Sequence, residues 1–174
     1  DALSFLLHLD GIPYIVDVGT YTYHSEPAWR AYFKGTLAHN TIRVDRQDQA
    51  LNAGPCLWLN HYKVEIMQVY ENEQEIMIQA SHNGYAQLGV SHIRSYHFDK
   101  IKDTITLTDI INSSAEQSHF YEIPFHLHPE ISVRELEANE FELFHTKGRK
   151  IRLQLDEQLK PQLIKGQEDP IFGW

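Results

Sequence analysis

A chain of 174 residues, 42% hydrophobic and 22% charged, is long enough to bury a core without disulfide or metal staples. Its formal net charge of -9 argues against a nucleic-acid partner, whose phosphates demand clustered Lys and Arg. No apolar run approaches the ~18 to 20 residues that span a bilayer as a helix, and a single cysteine rules out an internal disulfide while leaving the compartment open.

Most of the chain alternates with a period near two or forms short β-rich runs bounded by Gly, Pro, Asn and Asp, the pattern of an all-β fold. The expectation is an antiparallel stacked-sheet sandwich, jelly-roll-like, with no substantial helix and no domain boundary within 1–174. The opening Asp1-Ala2-Leu3-Ser4-Phe5 already has strand character and no leader-like features, so the natural N-terminus is expected further upstream.

In chain order, Ser4 to Leu9 and Tyr14 to Val18 form a hairpin across Asp10-Gly11-Ile12-Pro13, because Asp-Gly supplies the positive φ of a tight reversal. Tyr21 to Leu37 is aromatic and polar without a clean period and reads as a loop excursion. His39 to Asp45 resumes strand character. Strands are then expected over Tyr62 to Tyr70, Gln74 to Ala80, Ser91 to Asp99, Thr104 to Ile111, Ser118 to His128, Phe141 to His145 and Lys150 to Leu155. Asn72-Glu73 and Lys100 to Asp103 are the turns between neighbours. Tyr62 to Tyr70 alternates into one apolar and one mixed face, which suits a sheet packed on one side.

Eleven histidines raise the question of which converge with a carboxylate. Asp17 follows the apolar run Tyr14-Ile15-Val16 and projects at a strand end, while His39 stands at the entry of another strand. An imidazole and a carboxylate suit zinc or another divalent metal; the alternative is a turn-capping aspartate and a hydrogen-bonded core histidine. His126 and His128, two apart on a strand, share a face and offer a second, cupin-like set with Glu130; cross-strand packing is their other reading. The remaining histidines show no partner pattern.

Trp29, Arg30, Tyr32 and Lys34 interleave aromatic and cationic groups, suited to stacking a sugar ring and holding a uronate carboxylate; packing of the loop onto the core is the alternative. The overall acidity leaves an acidic polysaccharide open, since only a local set of cations such as Arg30, Lys34, Arg43 and Arg46 is needed. Cys56, between Pro55 and Leu57-Trp58, lies in an apolar context that favours an inert thiol. Nucleophile elbows, phosphate loops and EF-hands are absent.

Asp1-Ala2-Leu3-Ser4-Phe5, Val16-Asp17-Val18-Gly19-Thr20-Tyr21-Thr22-Tyr23, Trp29-Arg30-Ala31-Tyr32-Phe33, Ala38-His39-Asn40-Thr41, Val44-Asp45 and Gln47-Asp48-Gln49, in this order, resemble the heparinase II/III-like family. Gly54-Pro55, Trp58, Phe125 to Pro129 and Gly173-Trp174 extend the likeness. The resemblance implies the sheet domain of a periplasmic or secreted enzyme that cleaves acidic polysaccharide by β-elimination, following an N-terminal (α/α) toroid. It also implies a structural zinc-like metal held by Asp17, His39 and a histidine just ahead of Asp1. The catalytic tyrosine and its partners would come from the toroid and from upstream of Asp1, so none is expected in this chain. A non-catalytic carbohydrate-binding or architectural module is the competing expectation.

Overall fold

The computed structural model describes residues 1–114 and 117–166, so Gly173 and Trp174 lie outside the described residues. Short strands joined by tight turns dominate: β1 (Leu7–Leu9), β2 (Ile12–Ile15), β3 (Arg43–Val44), β4 (Leu51–Asn52), β5 (Trp58–Leu59), β6 (Val64–Glu71), β7 (Glu75–His82), β8 (Val90–Asp99), β9 (Thr104–Ser113), β10 (Tyr121–Glu122), β11 (Ser132–Glu137), β12 (Glu140–Phe144) and β13 (Lys150–Gln154). One α-helix, α1 (Pro27–Lys34), interrupts them. All pairings are antiparallel, in a four-stranded sheet β6-β7-β8-β9, a three-stranded sheet β11-β12-β13 and three two-stranded ribbons. The all-β expectation holds.

Local chemistry explains the turns. Leu9 pairs with Ile12, so the first reversal is a two-residue turn of Asp10 (φ 52) and Gly11 (φ 80), tighter than the four-residue reversal expected from the sequence. Asn72 closes β6-β7 by accepting the Gln74 and Glu75 amides on its side-chain oxygen at 2.8 and 2.9 Å. Asp99 does the same for Ile101 and Lys102 at β8-β9.

Two expectations change. The excursion Tyr21 to Leu37 contains α1, started by Pro27 in its first turn and ended at Gly35, whose amide bonds back to Ala31 and Tyr32. Glu26 offers no side-chain cap and the first turn holds no acidic residue, so the usual start signals are missing. Ser118 to His128 yields only β10 and an isolated bridge from Leu127 to Ile15, because its polar groups are spent on loops from elsewhere in the chain.

Two apolar clusters carry the packing. The β1-β2 hairpin lies on β11-β12-β13 through Tyr14, Ile131 and Leu143, flanked by Leu7, Leu127, Val133 and Ile151. Truncating Leu143 to alanine there would cost about 2–5 kcal/mol. Ile42, Val44, Tyr85 and Val90 form the second cluster over one end of the four-stranded sheet. A smaller group, Val18, Phe33 and Ala38, seats α1 against the strand end that carries Asp17.

Candidate functional site

A cavity of about 730 Å³ opens beside α1, with Arg30, Phe33 and Lys34 on the helix side and Cys56, Trp58, His61 and Tyr62 from β5 and its exit. Asp1, Asp17, Tyr23, His39 and Gln49 are among the rest of its lining. At ~100° per residue, positions 30, 33 and 34 share one face of α1, whereas Trp29 and Tyr32 fall on its other flank and do not line the cavity. The four expected substrate-binding residues are therefore split in two.

Asp17 and His39 do meet. His39 Nδ1 lies 2.6 Å from Asp17 Oδ2, and the Gly19 amide donates to Asp17 Oδ1 at 2.8 Å. Partial burial would raise the Asp17 pKa, but the hydrogen bonds from His39 and Gly19 outweigh it and lower the value, keeping Asp17 an anion. His126 stands close enough to add its field to both residues.

The pair is fixed from behind by Asn40, a fully buried side chain with every group occupied. Its amide nitrogen donates to the carbonyls of Phe5 (2.9 Å) and Val16 (2.8 Å), and its oxygen accepts the His126 amide at 2.7 Å. Its backbone amide donates to Ser4 Oγ, and its carbonyl accepts from Arg94 Nη1 at 2.6 Å. One residue thus ties the Asp17 strand, the His39 turn and the opening segment Asp1 to Phe5 into a single frame.

The two cations of the helix differ in freedom. Lys34 Nζ donates to Asn52 Oδ1 (3.0 Å), Gly54 O (2.5 Å) and Leu57 O (3.3 Å) and sits 4.3 Å above the Trp58 ring, so its three protons are committed to the β4-β5 hairpin. Burial, then the charge of Arg30, lowers its pKa. Arg30 lies over the Tyr23 ring at 4.7 Å, with Nε donating to Pro55 O and Nη1 to Thr20 O. Among the described residues its Nη2 makes no hydrogen bond, leaving that edge for another acceptor. Trp29 and Tyr32 meet edge to face at 6.0 Å, and Tyr21 stacks on Phe33 at 5.1 Å, a cluster that packs the helix. Arg43 is spent on Glu122 and Arg46 lies over Phe120, both outside the cavity.

A family model described as heparinase II/III-like, C-terminal, matches residues 1–172. The chain belongs to the heparinase II/III-like family. No curated protein and no solved structure matches it. Within the matched residues, the stretch 17–49 supplies much of the cavity lining. Asp17 and His39 converge there, although no group of three or more His, Cys, Asp or Glu stands ready to hold a metal among the described residues.

Several histidines without a sequence partner pattern acquire a carboxylate in this heparinase II/III-like fold: His97 with Glu75, His119 with Asp45, His145 with Glu130 and His92 with Asp109. Neighbouring strands bring together the first and the last of these pairs, and loops bring together the other two, neither of which shows in a linear pattern. His126 donates through Nε2 to Leu37 O at 3.0 Å, and the Glu130 amide donates to His128 Nδ1, so the two do not form a shared chelate in this arrangement. Cys56 is exposed in the cavity wall, not enclosed by its apolar neighbours.

The largest feature that sequence reasoning missed is a buried polar chain under the cavity. Arg94 holds Asp109 through Nε (2.7 Å) and Nη2 (2.9 Å) and reaches Leu3 O and Asn40 O with Nη1. The Gly84 amide donates to His82 Nδ1, so His82 Nε2 carries the ring hydrogen and donates to His92 Nδ1 at 3.0 Å. His92 Nε2-H is then left for Asp109 at 2.6 Å. Burial first, then the charges of His92 and Arg94, depress the His82 pKa to about 3, which keeps the ring neutral. The only sequence signal was period two: His92 and Arg94 share a face on β8, and their register partners His82 and Asp109 lie on β7 and β9.

Proposed function

We propose that this chain is the sheet domain of a secreted or periplasmic polysaccharide lyase that cleaves uronic-acid-containing polysaccharide by β-elimination, forming one wall of the substrate cleft. The carrying observation is that a chain matched to this family over residues 1–172 holds an open cavity in which a fixed, half-free Arg30 faces the same space as the Asp17–His39 pair. β-Elimination removes the proton at C5 of a uronate, moves that electron pair into a C4–C5 double bond and expels the O4 leaving group with a proton. Neutralising the carboxylate acidifies C5, and Arg30 Nη2 is a preoriented group for that task. The base and acid belong to an (α/α) toroid, in this reading a partner domain.

The donor set fits a zinc-like ion: an ionised carboxylate and an imidazole nitrogen converge, and Asp1 lines the same cavity. A third ligand joined just ahead of Asp1 would arrive beside them. A divalent ion there supplies cross-linking of the sheet edge, with Asp17 and His39 as its ligands.

Two measurements test this. Incubating the full-length parent with uronate polymers should generate the ultraviolet absorbance of an unsaturated uronate; binding without elimination would support a carbohydrate-binding module instead. Zinc content measured on purified protein should fall in Asp17→Ala and His39→Ala and persist in His128→Ala, and the opposite pattern overturns the ligand assignment.

A further inference from the structure

The cavity contains more polar side chains than it has free polar groups. Asp17 and His39 bind each other, and all three Lys34 protons are committed. Among the ring nitrogens of the lining, those of His61 stand apart. Eight of the eleven histidines make hydrogen bonds through a ring nitrogen or hold an ion pair, whereas the exposed ring of His61 enters no hydrogen bond or ion pair among the described residues. Of the three not so engaged, His8, His24 and His61, only His61 lines the cavity.

Its placement is built, not incidental. β5 ends at Leu59, and Asn60 adopts the left-handed conformation (φ 55), a turn that asparagine tolerates better than most residues and that redirects the chain at His61. The next residue, Tyr62, is anchored with its ring 5.8 Å from that of the buried His82. His61 is therefore fixed between a strained residue and an anchored one, while its own ring stays open.

We infer that His61 is a substrate-contacting residue of this cavity, hydrogen-bonding a hydroxyl or bridging oxygen of the sugar whose carboxylate is held by Arg30. The inference rests on the acidic-polysaccharide reading above and adds a second contact to it. A neutral imidazole offers one donor and one acceptor, which matches a sugar hydroxyl, itself both donor and acceptor.

The test is calorimetric titration of the whole chain with a uronic-acid hexasaccharide and with its carboxyl-reduced counterpart. His61→Ala should weaken hexasaccharide binding about tenfold, as expected for loss of one ligand hydrogen bond, and His61→Asn should recover part of it. His8→Ala, an exposed imidazole away from the cavity, should bind like the parent sequence. Thermal melts of all variants should coincide, since the His61 and His8 side chains are exposed. Carboxyl reduction should weaken binding by the same factor in the parent and in His61→Ala, because that loss belongs to Arg30. Unchanged affinity in His61→Ala overturns the inference and leaves the polysaccharide reading standing. No binding by the parent sequence overturns both.

Discussion

One face of the sheet β6-β7-β8-β9 behaves differently at its two ends. At the end nearest the cavity, Ala80, His82, Val90, His92 and Arg94 are buried beneath the opening segment Asp1 to Phe5 and the Ile42–Val44 cluster. At the other end the same face carries Val69, Ile78 and Ile105, exposed by 61%, 39% and 50%, and along the edge strand β6 the bare area extends to Ile66, 69% exposed. Register puts both sets on one side: Ile66 opposes Ala80, Val69 opposes Ile78, and Tyr96 opposes both Ile78 and Leu107. The cover stops where Phe5 packs edge to face on Tyr96 and the Tyr96 hydroxyl donates to Leu3 O. The buried end is polar and specified by hydrogen bonds; the bare end is apolar and specified only by alternation. Polar groups concentrate where the face supports the site, because an interior hydrogen-bond network fixes geometry better than interchangeable aliphatic contacts.

The largest expected effect comes from breaking the buried end. Arg94→Ala leaves Asp109 a buried carboxylate without its guanidinium, strips Asn40 O of its donor and leaves Leu3 O with the Tyr96 hydroxyl alone, so it should cost about 3–5 kcal/mol in chemical denaturation. Arg94→Lys should recover little, since a point charge does not reproduce a two-nitrogen grip on Asp109 plus a bond to the two carbonyls. A loss below 1 kcal/mol for Arg94→Ala would show that the network is incidental to the fold.

Acid attacks the same end next. His82 binds its proton with an ordinary affinity in the unfolded chain but only near pH 3 when folded, so the unfolded state holds more protons between these limits. Stability contributed by the neutral ring is complete above the ordinary imidazole range and declines as pH falls toward 3. Asp109, with its pKa lowered by His92 and Arg94 against the opposing effect of burial, works in the same direction at still lower pH. Between pH 7 and pH 4.5 the chain should lose roughly 2–3 kcal/mol through His82, about 1.4 kcal/mol per pH unit below the imidazole value. Urea melts of His82→Gln should show a flatter slope across that window; an equal slope would assign the acid sensitivity elsewhere.

The contrast also marks how far the sequence could be read. Strands β7, β8 and β9 were legible because alternation and turn residues such as Asn72 and Asp99 announce themselves locally. So was the Asp17–His39 pair, through motif order. The helix α1 was not, because it spans eight residues, little more than two turns, and has no capping side chain; Pro27 and Gly35 were its only punctuation. The Arg94 network and the Asn40 hub were not legible either, since their partners lie 15 to 91 residues apart and only register and the strap of Asp1 to Phe5 bring them together. Lys34 illustrates the same limit: its type suits a ligand, but three oxygens of a hairpin some 20 residues later use it.

The smallest expected effect lies at the bare end and sharpens the contrast from the other side. Ile66→Lys and Val69→Lys place a long cation on a face already in water, so no desolvation is incurred and each should move stability by about 0.5 kcal/mol or less. The same change at Val90, which is 2% exposed over the Ile42–Val44 cluster, should prevent folding. Because exposed apolar surface on β6 favours association, both tolerated lysines should also lower the apparent mass in light scattering at high concentration. If Ile66→Lys instead destabilised the monomer by several kcal/mol, the face would be covered in solution, and the polar and apolar ends of this sheet would be parts of one continuous core.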